Sequence, residues 1–186
     1  MQDQNYLTGQ SKEDIHQQLT TILNKDQNIL AFNATIDYNH KKVTIDVDID
    51  LGGGFESGYE TTTFLAQLHA QPPFRFAIHK EHFVDEIGKF FGMEDVELGY
   101  PEFDKKLIIK TNDSATLHDV FSDPSARTIF QNLEDFTFGI TTHHITDTNT
   151  KAPFLELSLE TGIIDPDRLM EIYNAFYSVL TALDKS

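Results

Sequence analysis

Residues 88–113 read GKFFGMEDVELGYPEFDKKLIIKTND, and the rest of the chain is organised around this stretch. It predicts the end of a helix with a stop at Gly92, a tight turn at Gly99, a short strand, and a second turn at Asn112-Asp113. The chain before it favours mainly strands, and the chain after it favours helices and a second strand pair. The sequence therefore predicts a mixed α and β protein.

The composition is that of one globular domain. The chain has 186 residues, of which 39% are hydrophobic and 24% charged, and fifteen are phenylalanine. This length allows a single sizeable core, and the phenylalanines supply large apolar side chains for it. No repeat of fixed period and no low-complexity linker interrupts the chain.

The formal net charge of −16, from 30 acidic and 14 basic side chains, limits the partners. Nucleic acid and anionic membrane surfaces both require a basic patch, so we expect neither nucleic-acid binding nor membrane docking. A cationic protein partner is compatible with this charge, although high solubility alone also explains it.

The chain contains no cysteine, which excludes disulfides, zinc–thiolate sites and iron–sulfur clusters. The N-terminal residues lack the basic start and apolar run of a signal peptide. No apolar window is long enough to span a bilayer. We therefore expect a cytoplasmic protein.

The N-terminal part of the chain predicts a helix followed by a β-hairpin. Residues 1–10 are polar and predicted to be frayed or disordered, whereas residues 11–24 have a hydroxyl cap and helical apolar spacing. Strands at 29–38 and 42–51 flank a turn at Asn39-His40. In the second strand, the residues predicted to face the core are Val43, Ile45, Val47, Ile49 and Leu51, and those predicted to face solvent are Thr44, Asp46, Asp48 and Asp50.

The remaining chain predicts further strands and helices, ending in a strongly amphipathic helix. Asp165-Pro166 supplies a cap and a first-turn proline for that last helix, which is the clearest helix of the chain. The other predicted elements are strands at 59–70 and 74–78 that pair, a helix at 79–91, a central strand at 105–111, helices at 114–121 and 124–133, and a hairpin of 136–145 and 154–161 with a polar loop at 147–153.

These elements together predict the fold class. We expect one α+β domain over residues 11–186, with a mainly antiparallel sheet of six or seven strands. We expect the helices to pack on one face of the sheet, with the C-terminal helix as the main covering element.

Two groups of residues are candidates for a metal site. Asp46, Asp48 and Asp50 lie on one face of a strand, about 7 Å apart, and carboxylates are ligands for calcium. His69 and His79 lie at the ends of predicted strand partners, with Glu81 close by, which suggests a His-His-Glu centre. The alternative for both groups is a solvated surface, and we favour that alternative.

No catalytic or cofactor motif is recognisable. The glycine run at 52–54 lacks the Gly-Lys-Ser/Thr of a phosphate loop and is interpreted as a turn or β-bulge. No nucleophile elbow occurs. His143 and His144 are neighbours on a predicted strand, so they face opposite sides and cannot chelate one ion. The sequence therefore predicts no catalytic residue and no cofactor, and an enzyme is the less favoured class.

Two further features concern turns and aromatic side chains. Asp104 follows Phe103 at the entrance to a strand, where its carboxylate is placed to accept backbone N–H groups of its own turn. Four aromatic residues near glycine, proline or polar runs are candidates for an exposed contact patch. They are Phe55, Tyr59, Tyr100 and Phe121.

The central stretch also carries a spaced set of residues. The set comprises Phe83-Val84, Ile87-Gly88-Lys89, Phe91-Gly92, Glu94-Asp95-Val96, Gly99, Pro101-Glu102-Phe103-Asp104, Ile108-Ile109-Lys110 and Asn112-Asp113. It resembles a family of uncharacterised bacterial proteins, a domain of unknown function, in which a G-x-P-x-F-D turn enters a strand and a polar turn leads to a helical segment with an arginine, here Arg127. The resemblance covers residues 61–133. It implies that Gly99, Phe103 and Asp104 shape the fold, and it implies no activity.

Three functional hypotheses follow. The favoured one is a non-enzymatic bacterial domain that binds another protein, in one version an immunity-type protein that masks a basic toxin. The second is a metal-dependent hydrolase that uses Asp104, His79 or the aspartates of residues 46–50. The third is a homodimeric structural protein that pairs edge strands or buries exposed phenylalanines.

Overall fold

The computed structural model describes residues 4–25, 29–53, 57–69, 74–80, 92–145 and 150–184. These residues form nine strands and five helices. In chain order they are β1 (Asn5–Thr8), α1 (Lys12–Leu23), β2 (Ala31–Tyr38), β3 (Lys41–Asp50), β4 (Tyr59–Gln67), β5 (Phe76–His79), β6 (Glu94–Asp95), α2 (Pro101–Asp104), β7 (Ile108–Thr111), α3 (Ser114–Val120), α4 (Pro124–Gln131), β8 (Phe136–Ile145), β9 (Thr150–Leu159) and α5 (Pro166–Leu183).

All nine strands belong to one sheet with the order β1-β2-β3-β4-β9-β8-β5-β7-β6. Strands β1 and β2 are parallel, and every other neighbouring pair is antiparallel. The prediction of a single α+β domain with a mainly antiparallel sheet is confirmed. The predicted count of six or seven strands is too low, because the short strands β1 and β6 extend the two edges.

A two-residue turn joins β2 to β3. Asn39 and His40 both have positive φ, 48° and 62°, which is the geometry of a type I′ hairpin turn. Tyr38 pairs directly with Lys41 across this turn. The predicted hairpin is therefore confirmed.

The alternation in β3 sorts its side chains between the two faces of the sheet. Val43, Ile45 and Val47 are buried, as predicted. The same alternation predicts Leu51 in the core, but Leu51 is 73% exposed. The reason is that β3 ends at Asp50, so Leu51 lies beyond the ladder that holds the other side chains against the core.

The N-terminal segment departs from the prediction of a frayed end over residues 1–10. Residues 5–8 form β1, which pairs with β2 in parallel. A parallel pair needs a crossover connection, and α1 supplies it. Leu7 is fully buried, and one apolar residue in a polar stretch produces no periodic signal.

The middle of the sheet differs from the prediction in its pairing. Strand β4 pairs with β3 and β9, and β5 pairs with β8 and β7, so the predicted pairing of β4 with β5 is wrong. His79, predicted to begin a helix, is the last residue of β5. The rest of that helix, residues 81–91, lies outside the described residues. Strand β7 pairs on both sides, although it is second from the edge rather than central.

The second predicted hairpin is confirmed by the pairing of β8 with β9. Its ladder runs from Phe136 opposite Leu159 to Ile145 opposite Thr150. Residues 150–153, predicted as part of a polar loop, therefore belong to β9. Residues 147–149 of that loop lie outside the described residues.

The C-terminal helix α5 covers one face of the sheet, as predicted. Asp165 caps it by accepting the Arg168 N–H at 2.7 Å, and Pro166 occupies its first turn. Phe176 contacts Phe64 of β4 and Phe138 of β8, with ring centroids 6.0 and 5.9 Å apart. The buried stripe consists of Leu169, Ile172, Tyr173, Phe176, Val179, Leu180 and Leu183. In the described part of the chain, none of the helices has the length and low polarity that crossing a bilayer requires.

A cluster of phenylalanines joins the smaller helices to the sheet. Phe121 follows α3, is fully buried, and lies with its ring centroid 5.4–6.1 Å from four other rings. Those four belong to β5, α2, α4 and β8, so one side chain connects four elements. They are Phe76, Phe103, Phe130 and Phe138.

Replacing Phe121 with alanine tests this packing. We expect F121A to lower the free energy of unfolding by about 3–5 kcal/mol, because it leaves a cavity among four rings. The matched control is F154A, whose ring is only partly buried, with an expected loss below about 1 kcal/mol. Urea unfolding followed by circular dichroism measures both, and equal losses for the two variants would contradict the assigned packing.

Candidate functional site

The sheet has an inner face, which contacts α5 through Phe64 and Phe138, and an opposite outer face. Strand pairing places the outward side chains in rows that cross the sheet. Asp46 and His79 belong to one row, with β4, β9 and β8 between them. Four inter-strand steps of about 4.8 Å put their backbones about 19 Å apart. These two predicted ligands therefore do not meet.

The three aspartates of β3 each bind a different donor within the protein. Within the described ranges, no group is hydrogen-bonded to two of them, and each is held as a separate carboxylate. The hydrogen bond that Tyr59 donates raises the pKa of its phenol, because it stabilises the protonated form. The bonds are Asn33 Nδ2 to Asp46 Oδ1, Tyr59 OH to Asp48 Oδ2 and the Gly52 N–H to Asp50 Oδ1, each 2.9 Å long.

The candidate histidines are also apart. His69 is exposed beyond the end of β4, while His79 is buried in β5 with its Nδ1 2.9 Å from Lys80 O. The prediction places His69 near His79 because it pairs β4 with β5. These two strands do not pair, so the predicted reason for a shared site is wrong. Glu81, the third member of that candidate centre, lies outside the described residues. Over the ranges that the structure describes, no three His, Asp or Glu side chains converge on a metal position.

The turn before β7 is closed by the Asp104 carboxylate. It accepts three backbone N–H groups, from Leu98 at Oδ1 and from Gly99 and Tyr100 at Oδ2, each at 2.9 Å. Gly99 has a φ of +86°, a backbone conformation that residues other than glycine rarely adopt. Phe103 anchors the turn in the core. These contacts support a structural role for Gly99, Phe103 and Asp104 in shaping the turn.

Arg127, the arginine of the resemblance, stacks on the same turn. Its Cζ lies 3.6 Å from the centroid of the Tyr100 ring. The His118 ring also stacks on Tyr100: the two rings are nearly parallel, and their centroids are 4.8 Å apart. Arg127 also donates to the carbonyl of Phe121. These contacts connect the turn to α3 and α4, so Arg127 is engaged within the fold.

Exposed apolar side chains gather at one end of the sheet. Leu30 precedes β2, Leu51 follows β3, Tyr59 begins β4 and Ile164 follows β9. Antiparallel pairing brings these four chain positions to the same end, and the Ile49 N–H bonds to Leu30 O at 2.7 Å there. Among the described residues, these are four of the five large hydrophobic side chains that are exposed, and Tyr6 on β1 is the fifth.

Carboxylates lie beside two of these apolar side chains: Leu51 and Tyr59 line one hollow with Asp50, Glu60 and Glu160. Glu60 accepts the Gly162 N–H at 3.0 Å and thereby ties the chain after β9 to β4. The set formed by Leu30, Leu51, Tyr59 and Ile164 together with Asp48, Asp50, Glu60 and Glu160 is called the acidic–apolar end below. No Lys or Arg occurs in the sequence between Lys42 and Arg75, or between Lys151 and Arg168. The negative charge of this end is therefore not offset by a basic residue from its own segments.

The predicted aromatic patch is only partly realised. Tyr59 is exposed, whereas Tyr100 is stacked between two side chains and Phe121 is in the core. Phe55 lies outside the described residues. The aliphatic members of the acidic–apolar end were missed, because a leucine that follows an alternating strand has the same pattern as a core residue.

A groove of about 700 Å³ lies on the helical side, between α5 and the α3–α4 pair. Lys12 lies there with its Nζ 5.2 Å from the Tyr177 ring centroid, and burial lowers the pKa of Lys12. Asp123 accepts the Ser178 hydroxyl at 2.7 Å and the Ser125 N–H at 2.9 Å. These charged groups are engaged with the protein itself, so we assign the groove no ligand.

Comparisons with known proteins identify no relative. No family model matches the chain, and no curated protein or solved structure is significantly similar to it. The resemblance of residues 61–133 to a bacterial family therefore stays a prediction.

Replacing Asp104 tests the turn. We expect D104A to lower the free energy of unfolding by about 2–3 kcal/mol, because three N–H groups lose a charged acceptor. E102A is the matched control: Glu102 is an exposed carboxylate in the same turn of helix, and its loss should cost about 0.5 kcal/mol or less. Urea unfolding measures both. A D104A protein as stable as E102A would show that this carboxylate does not hold the turn.

Proposed function

We propose that the chain is a non-enzymatic protein-binding domain, and that its acidic–apolar end binds a basic segment of a partner protein. The observation that supports this proposal is that four exposed apolar side chains lie at one end of the sheet, two of them, Leu51 and Tyr59, beside carboxylates. Interfaces use buried aromatic and aliphatic anchors surrounded by polar groups. The composition of this end matches that arrangement.

Charge supports a basic partner rather than an acidic or neutral one. The whole chain carries −16, and the segments that form the acidic–apolar end contain no basic residue between Lys42 and Arg75. A negative surface accelerates the encounter with a positive partner and disfavours negative ones. An acidic domain that covers a basic partner would also neutralise it, which is the immunity-type version of the proposal.

Self-association is the second candidate, since the same exposed side chains would also be covered in a homodimer. Strand β1 lies at the edge of the sheet and offers a further pairing surface. Light scattering at micromolar concentration decides between the two, because a monomeric molar mass would exclude the homodimer. The hydrolase hypothesis has no comparable support from Asp46, Asp48, Asp50 and His79, which lie apart. The cytoplasmic location and bacterial origin stay predictions.

Two matched double variants test the proposal. Y59S/E160K changes the acidic–apolar end, and Y6S/E97K makes the same chemical changes at other sites. The two tyrosines are closely comparable, since they are 52% and 56% exposed and each donates its hydroxyl to an aspartate of the neighbouring strand. Each protein serves as bait in native lysate, and captured proteins are quantified by mass spectrometry at low and high salt.

We expect the unchanged chain and Y6S/E97K to retain the same basic protein, and Y59S/E160K to retain about tenfold less of it. High salt should weaken the capture, since exposed charges are screened. Binding of the purified basic protein, measured by calorimetry, should repeat that order. Equal retention by the two double variants, or recovery of the bare chain at every salt concentration, would contradict the proposal.

A further inference from the structure

The outer face carries a hollow on the half of the sheet away from the acidic–apolar end. Gly139 and Ala77 face each other there, so two neighbouring strands present almost no side chain. A methyl group at Gly139 would lie 2.5 Å from Phe76 O, which excludes a larger residue without a backbone shift. The resulting cavity has a volume of about 450 Å³.

Three polar side chains of β8 and β9 converge at the wall of this hollow. Thr141 Oγ1 donates to Glu156 Oε2 at 2.7 Å, and His143 Nε2 lies 2.8 Å from the same oxygen. Thr141 Oγ1 and His143 Nε2 are 3.1 Å apart. The Phe154 ring packs against the imidazole in a T-shaped arrangement, with the ring centroids 5.3 Å apart. One nitrogen and two oxygen atoms thus form a compact triangle on two paired strands.

This triangle does not have the geometry of a catalytic triad. In a triad, the histidine uses one nitrogen for the nucleophile and the other for the carboxylate. Here the same atom, Nε2, faces both Thr141 and Glu156. The Thr141 hydroxyl also donates to the carboxylate, so its proton is not directed at a base. The arrangement is therefore one of converging donor atoms rather than an activated nucleophile.

We propose that His143, Glu156 and Thr141 form a binding site for a divalent first-row transition ion. In octahedral coordination, two adjacent ligands about 2.1 Å from the ion lie about 3.0 Å apart. The three separations of 2.7, 2.8 and 3.1 Å are hydrogen-bond distances that lie within about 0.3 Å of that spacing. Imidazole and carboxylate are a ligand pair that zinc-type ions accept.

The Glu156 carboxylate is the group of the triangle that favours a cation, while Arg75 is the basic residue that lines the same cavity. Glu156 Oε2 already attracts two hydrogen-bond donors, and an ion would replace both donors with a stronger positive charge. The carboxylate is three-quarters buried, with 24% of its side chain exposed, so its charge is less screened than that of a surface glutamate. The remaining coordination positions would face the cavity, where water or a small ligand has room.

Other histidine–carboxylate pairs of the described chain lack these features. His16 and Asp167 are 2.8 Å apart, and His118 and Asp119 are 3.1 Å apart. In both pairs the carboxylate side chain is at least 80% exposed. This inference does not depend on the protein-binding proposal, because the hollow and the acidic–apolar end share no residue.

Metal titration of the untagged, chelator-treated chain tests the site, with Zn²⁺ and Co²⁺ as probes. We expect a single saturable equivalent of Zn²⁺ in calorimetry. H143Q and E156Q should each weaken binding about tenfold or more, because each removes a ligand. H144Q is the matched control, since His144 is the neighbouring histidine and points away from Glu156; its affinity should be unchanged.

Two further readouts separate loss of a ligand from loss of the fold. Zn²⁺ should raise the melting temperature of the unchanged chain and of H144Q but not that of H143Q. Co²⁺ should give a visible absorption band that H143Q abolishes. Absence of saturable binding, binding of many equivalents without a plateau, or equal weakening by H144Q and H143Q would each overturn the site.

Discussion

The packing of α5 against the inner face of the sheet is the interaction on which the rest of the structure depends. Phe176 contacts both β4 and β8, which lie on either side of β9. Burying a side chain of this size stabilises the fold by about 1.5–3 kcal/mol, and α5 buries a whole stripe of them. Because side chains alternate along a strand, a one-residue slip of β4 or β8 would turn its apolar set to solvent. Contact with α5 therefore also sets which residues face outward.

The outer face spans a sheet of nine strands. Its width limits which polar side chains lie close enough to act together. Residues in one row but on distant strands, such as Asp46 and His79, are separated by several strand spacings. Polar side chains come within bonding distance only when they lie on the same strand or on neighbouring strands. Thr141 and His143 are two positions apart on β8, and the Glu156 side chain reaches both from its position opposite Gly139 on the neighbouring strand β9. The ends of the sheet follow a different rule, since chain segments that leave neighbouring strands collect there and form the acidic–apolar end.

Local patterns predicted the elements that depend on local chemistry. Ser11 with Asp14 caps α1, Asp165 with Pro166 starts α5, and the alternation of β3 and of the β8–β9 pair was recognisable. The strand order was not predictable from such patterns, because β9 inserts between β4 and β8 through pairing over about ninety residues of chain. The single apolar Leu7 of β1 carried no periodicity. The triangle and the aliphatic members of the acidic–apolar end were missed because both depend on strand pairing rather than on local pattern. Glu156 meets His143 only through strand register, and Leu51 differs from a core residue only because β3 ends before it.

The most direct test of the proposed docking surface is site-specific photo-cross-linking inside the cell. A benzophenone amino acid would replace Leu51, which is 73% exposed at the acidic–apolar end, or Tyr6, which is exposed at the β1 edge. Cross-linked products would be identified by mass spectrometry. We expect position 51 to capture a basic protein that position 6 does not capture. Capture of that protein only from position 6, or of no partner from position 51, would contradict a binding surface at this end of the sheet.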